Sequence, residues 1–100
     1  MGKLRIDELI EILSRDVLKN NSCVEMNFFV DGDTEYTDCW LGKMPNKEKL
    51  GLELYWYGLV PDGTQAYDFY DLHEFLNAKV FHNESLIDIF DKISMNFIMK

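Results

Sequence analysis

Basic residues are scarce in this chain. Ten lysines and arginines stand against 18 aspartates and glutamates, a formal net charge of −8 over 100 residues. The scarcity is also local: residues 31–38 carry Asp31, Asp33, Glu35 and Asp38 with no base, and residues 51–78 carry Glu53, Asp62, Asp68, Asp71 and Glu74 with none. Such a surface repels a phosphate backbone and steers a basic protein toward it. Direct nucleic-acid binding is therefore disfavoured, and a protein partner, basic or a second copy, is expected. Cysteine is equally thin, with only Cys23 and Cys39, 16 positions apart. A cytosolic chain keeps such thiols reduced, so the expectation is two small half-buried thiols. Long apolar runs are missing, and a segment such as Phe28, Phe29 and Val30 is far too short for a bilayer. The opening MGKLRIDELIEIL has acids where a secretory leader needs a clean apolar stretch, and Ile6 stands where a myristoylation signal wants Ser or Thr. The expectation is a cytoplasmic protein without membrane association, folded as one domain over residues 1–100.

Signatures of chemistry are also lacking. His73 and His82 are the only histidines, and neither belongs to an HExxH or pairs with a CxxC. Asp31, Asp33 and Glu35 have the alternating spacing that opens a calcium loop. The loop then fails, because Tyr36 stands where its turn glycine belongs and Gly42 where its bidentate glutamate belongs. A Cys39 nucleophile would need a chance meeting with a histidine in three dimensions, and carboxylate pairs such as Asp68 and Asp71 arise by accident in so acidic a chain. No catalytic residue, metal or cofactor is assigned, and the chain reads as non-enzymatic.

What is present is periodicity. In Lys49 to Gly58, KLGLELYWYG, residues Leu50, Leu52, Leu54 and Trp56 alternate with Gly51, Glu53, Tyr55 and Tyr57, which predicts a mid-sheet strand with the first set facing the core. Cys23 to Val30 alternates likewise, with Val24, Met26, Phe28 and Val30 expected inside. Asp31, Gly32 and Asp33 supply a hairpin turn to a strand at Tyr36 to Leu41, where Trp40 competes with Cys39 and Leu41 for the core. Gly42 to Lys47 and Pro61 to Gly63 read as turns, and Gln65 to Tyr70 as a weaker fourth strand. Leu4 to Lys19 has a helical stripe at Ile6, Leu9, Ile10, Leu13 and Val17, with Asp7 as N-cap and Asn20 and Asn21 as stop. Asp71 to Glu74 has capping-box spacing for a short helix to Ala78. Asn83 is expected to cap a last helix with a stripe at Leu86, Ile89, Phe90, Ile93 and Phe97. The fold class is α+β: an antiparallel three- to four-stranded meander with N-terminal and C-terminal helices packed on one face.

Aromatic density completes the reading. Tyr36, Trp40, Tyr55, Trp56, Tyr57, Tyr67, Phe69 and Tyr70 fall within 35 residues, and one helical layer covers only one sheet face. The expected interface is Tyr36, Trp40, Tyr55, Tyr57, Tyr67 and Asp68, an aromatic face rimmed with carboxylates. It suits a small interaction module that blocks a basic protein, in the manner of an antitoxin, immunity or nuclease-inhibiting protein. Two other readings stand beside it: a small-molecule or carbohydrate binder, conceivably an enzyme, using Trp40, the tyrosines and carboxylates in a cleft; and a structural homodimer.

Overall fold

The computed structural model describes residues 4–19 and 22–99. Along the chain come α1 (Ile6–Leu13), β1 (Val24–Val30), β2 (Cys39–Pro45), β3 (Glu53–Gly58), β4 (Ala66–Phe69), α2 (Leu72–Asn77), α3 (Leu86–Ile89), a single 3₁₀ turn (Phe90–Lys92) and β5 (Ile93–Met99). The five strands form one antiparallel sheet in the order β4-β3-β2-β1-β5, and the helices pack on one face of it. The α+β class and the meander of the first four strands hold. The fifth strand is an addition to the expected architecture.

That strand replaces the second half of the expected C-terminal helix. Ser85 caps α3 by accepting from the Asp88 amide while the Asp88 carboxylate takes the Ser85 amide, so the cap is Ser85 and not Asn83. The helix buries Leu86 and Ile89, and the 3₁₀ turn buries Phe90. From Ile93 onward the chain pairs with β1, Val30 opposite Ile93 and Met26 opposite Ile98, with a bulge between Asn27 and Phe28. The helical stripe is compatible with this because Ile93 lies inward in either conformation. The unpaired backbone edge of β1 decides the rest in favour of pleat.

At the other end, α1 stops at Leu13 instead of running to Lys19, and its N-cap is Arg5, not Asp7. The Arg5 amide donates to Glu8 Oε1 at 3.0 Å, and Asp7 and Glu8 lie in the first turn where the helix dipole favours acids. Lys43 on β2 substitutes for a further turn. It is 1% exposed, and its Nζ donates to the carbonyls of Leu13 at 2.8 Å and Arg15 at 2.6 Å and pairs with Glu53 Oε1 at 3.1 Å. Glu53 Oε2 in turn accepts from the Val17 amide at 3.1 Å, which holds Val17 in the core after the helix has ended. The expected stop at Asn20 and Asn21 lies outside the described residues.

On β1 the alternation holds, and Val24, Met26, Phe28 and Val30 are buried. On β2 the competition resolves toward Cys39 and Leu41, leaving Trp40 on the opposite face; Gly42 to Pro45 extend this strand instead of turning. The phase of β3 is the main correction. Leu50 and Leu52 precede the strand and are 93% and 50% exposed, whereas Tyr55, Tyr57 and Leu59 point into the core. Tyr57 stacks on Phe75 of α2, ring centroids 4.1 Å apart and 6° from parallel, and its hydroxyl donates to the Phe75 carbonyl at 2.7 Å. A phenol with its hydroxyl satisfied is buried as readily as a leucine. Tyr55 lies opposite Lys43 and inclines to Phe75 at 5.8 Å. Tyr36, Tyr55 and Tyr57 are thus core residues, and Tyr67, paired with Tyr57 across β4, packs against the same core. α2 itself starts at the expected cap, Asp71 accepting from the Glu74 amide at 3.1 Å.

Candidate interaction face and the His82 cleft

Since every helix packs on the inner face, the outer face of the sheet has no helical cover among the described residues. Its side chains are those out of phase with the core: Glu25, Asn27 and Phe29 on β1, Trp40, Gly42 and Met44 on β2, Leu54, Trp56 and Gly58 on β3, and Asp68 on β4. At the centre, two copies of Trp-x-Gly, Trp40-Leu41-Gly42 and Trp56-Tyr57-Gly58, pair antiparallel so that Trp40 faces Gly58 and Gly42 faces Trp56. The Trp56 indole lies across Gly42. A Cβ there would sit 2.6 Å from Trp56 Cζ2 and 2.4 Å from the Val24 carbonyl oxygen, while one at Gly58 would be 3.9 Å from Trp56 Cζ3. Among the described glycines positive φ is confined to Gly32, Gly51 and Gly63, so Gly42 is required by space and not by backbone conformation. The Trp56 indole forms a low shelf on the sheet, with Trp40 on the same face of the neighbouring strand.

Carboxylates flank it. Asp68 is directly opposite Trp56, and its carboxylate makes no hydrogen bond or ion pair among the described residues. Asp38 accepts from Asn27 Nδ2 at 2.9 Å, and Asn27 is held in turn by Asn96 Nδ2 at 2.7 Å on its Oδ1. None of the outward side chains of β1 to β4 is basic, because the lysine of β2, Lys43, is turned inward. Bases return at one end, where Lys49 Nζ lies 5.8 Å from the exposed Tyr70 ring beside a depression lined by Met44, Lys47, Leu54 and Asp68.

Of the residues expected at an interface, Trp40 and Asp68 therefore lie on the open face, while Tyr36, Tyr55 and Tyr57 lie beneath the helices and Tyr67 is half-buried on that same side. The structure separates the six into two groups on opposite faces. Trp56, Phe29, Met44 and Leu54 join Trp40 and Asp68 instead. The signal for this was the repeated Trp-x-Gly, since a mid-strand glycine two residues from a tryptophan leaves room for an indole to lie flat on the neighbouring strand.

No family model, curated protein or solved structure matches the chain.

A second concave region, of about 170 Å³, lies between the β1–β2 loop and the segment linking α2 to α3, with Asp33, Tyr36, Phe81, His82 and Lys92 in its lining. His82 and Asn83 have φ of 52° and 68°, and Phe81 and Glu84 exchange both backbone hydrogen bonds at 3.0 Å. This is a two-residue hairpin turn of the type that needs positive φ at both central positions, usual for Asn and less so for His. The turn carries the His82 ring onto Tyr36, centroids 4.5 Å apart, with Nε2 3.0 Å from Asp33 Oδ2 and 3.6 Å from Glu35 Oε1. Burial alone would raise the Asp33 carboxyl, but the Tyr36 and Glu35 amides and the His82 ring outweigh it and hold the carboxyl below its usual range. Burial, reinforced by Glu35, moves the Tyr36 phenol the other way. Its hydroxyl donates to Gln65 Oε1 at 2.8 Å, and Gln65 Nε2 donates to Glu35 Oε2.

A histidine oriented by a carboxylate is half of a general-base arrangement. No serine, threonine or cysteine lines the cleft among its described residues. Cys39 is buried with its Sγ directed at the Leu59 carbonyl, and burial, then Asp38 and Asp33, push its thiol up to about 12. Such a thiol is inert at neutral pH. Cys23 is exposed, so neither cysteine is half-buried as expected, and both are free. Among the described residues no three His, Cys, Asp or Glu side chains are grouped to hold a metal. The His82 network ties the β1–β2 loop to the α2–α3 segment. No described helix is long and apolar enough to cross a membrane.

Proposed function

We propose that this protein is a non-catalytic interaction module that receives a basic protein partner on the open face of its sheet, of the kind that blocks or neutralises that partner. The observation that carries the reading is the composition of that face. It has two tryptophans at its centre, Phe29, Met44 and Leu54 around them, Glu25, Asp38 and Asp68 at the margins, and no base on the strands that build it. Rigid aromatics surrounded by polar groups are what protein interfaces favour. A net charge of −8 adds long-range attraction for a basic protein. Trp40 keeps its expected role, Trp56 takes the place of Tyr55 and Tyr57, and the electrostatic argument is unchanged.

The test is a titration of isotope-labelled protein with basic peptides and with charge-reversed controls, followed by amide and indole shifts. The reading expects shifts confined to β2, β3 and β4 around Trp40, Trp56 and Asp68, absent with acidic peptides and weakened as salt rises. Shifts centred on the helical layer, or binding indifferent to ionic strength, contradict it.

A further inference from the structure

Resting on that reading, we infer that the Trp-x-Gly shelf is an arginine-receiving site: a partner's guanidinium stacks on the outward face of the Trp56 indole while the Asp68 carboxylate takes its N–H groups. Three observations converge. First, the Trp56 indole occupies the space above Gly42 that a Cβ would fill, which holds the ring against the sheet on the face without helices. Second, Asp68 is the cross-strand neighbour of Trp56 on the same face, within the ~5 Å Cβ spacing of such pairs. Its carboxylate is unengaged among the described residues, so a bidentate partner displaces nothing. Third, the Trp56 indole does not line the neighbouring depression, so it offers a surface to stack on and not a pocket. A lysine ammonium, a compact and strongly hydrated charge, is served best by a pocket that replaces its water. The planar, weakly hydrated guanidinium can keep some of its water and still stack.

Trp40 lies opposite Gly58, but the nearest side-chain atom over that glycine is Trp56 Cζ3, so the second tryptophan does not repeat the arrangement at Gly42. The site is therefore built around Trp56, and a single arginine fills it. A nucleobase or a sugar ring could also stack on an indole, but Glu25, Asp38 and Asp68 oppose any phosphate backbone, and a neutral sugar leaves the charge pattern without a purpose.

The experiment compares two synthetic peptides, three arginines spaced by Gly-Ser and the same peptide with lysines, titrated into the intact protein by calorimetry and NMR. The arginine peptide is expected to bind about fivefold tighter, with its side-chain Hδ protons moved upfield by the indole ring current. Trp56→Leu should reduce the arginine affinity about fivefold, to the lysine level, with the far-UV spectrum unchanged. Asp68→Asn should reduce it about fivefold. Should Trp56→Leu disturb folding, the ring-current shift in the unaltered protein still decides the matter. Equal affinity for both peptides at the open face, with no upfield shift, overturns the arginine site and leaves the basic-partner reading standing. If neither peptide perturbs the open face, both fall. Binding of cellohexaose or a single-stranded oligonucleotide to the shelf in place of the arginine peptide overturns the inference as well.

Discussion

The two faces of this sheet are built from similar aromatic material and do different work. The inner face carries Tyr55 and Tyr57 under α2, each ring packed against Phe75 and the Tyr57 hydroxyl fixed on a carbonyl, so these phenols act as core residues with a polar tip. The outer face carries Trp40 and Trp56 in register with glycines, under no helix, beside carboxylates. The inner face is therefore organised around satisfied polar groups in a dry environment, and even its lysine is neutralised by two carbonyls and Glu53. On the outer face the sheet supplies a flat support and leaves charge uncompensated. What separates a structural aromatic from a candidate binding aromatic here is which layer covers it, not its residue type.

The largest difference should appear on truncation. Tyr57→Ala is expected to destabilise by about 3–5 kcal/mol in urea unfolding, through cavity formation and an unpaired Phe75 carbonyl. Trp56→Leu, half-buried on the open face, should cost only about 1 kcal/mol. Comparable losses at both positions would mean that the outer face is covered too.

Next in size is Lys43→Met. Removing the ammonium strands the Leu13 and Arg15 carbonyls and leaves Glu53 without its counter-charge, at an expected cost of about 3 kcal/mol. Hydrogen exchange should then show α1 opening ahead of the sheet. Uniform loss of protection would place Lys43 outside any special hold on that helix.

A smaller and sharper contrast lies within the shelf. Gly42→Ala meets a backbone oxygen and the Trp56 ring, and should destabilise by about 2 kcal/mol. Gly58→Ala has room, and should be neutral or stabilise by about 0.5 kcal/mol by restricting the unfolded chain. Equal effects at the two glycines would show that the indole does not lie across Gly42.

The smallest effect concerns acid. Asp33 has a folded-state pKa below its unfolded value, so its contribution is complete above the unfolded pKa near ~4 and is lost as pH falls through the folded one. Thermal melts of the unaltered protein should therefore fall more steeply below about pH 4 than those of Asp33→Asn. Parallel curves would remove Asp33 from the acid response.

Much of the fold was legible in the sequence, and the reasons for the remainder are physical. The alternation on β1 has leucine-like residues on one side and polar ones mostly on the other, so its phase was unambiguous. On β3 both phases are apolar, Leu54 and Trp56 against Tyr55 and Tyr57, and only the position of Phe75 breaks the tie. Periodicity gives a strand its existence; its sidedness comes from what packs on it. The last strand was hidden for a related reason, since Leu86, Ile89, Phe90 and Ile93 satisfy a helical stripe up to the point where pairing with β1 takes over. The acid-rimmed aromatic surface was legible in kind, and two of its expected residues, Trp40 and Asp68, are on it. The His82 turn was not legible, because its contacts with Asp33 and Glu35 cross nearly half the chain.

Both tryptophans of the chain lie on the open face, so tryptophan fluorescence reports on that face and on nothing else. The most direct measurement is therefore charged quenching of the folded protein, with caesium compared against iodide, before and after addition of the arginine peptide. The account predicts that caesium quenches more than iodide, because Glu25, Asp38 and Asp68 gather cations at the shelf, and that the peptide removes this accessibility. Indoles shielded from both ions in the free protein, or equally accessible with the peptide bound, would contradict it.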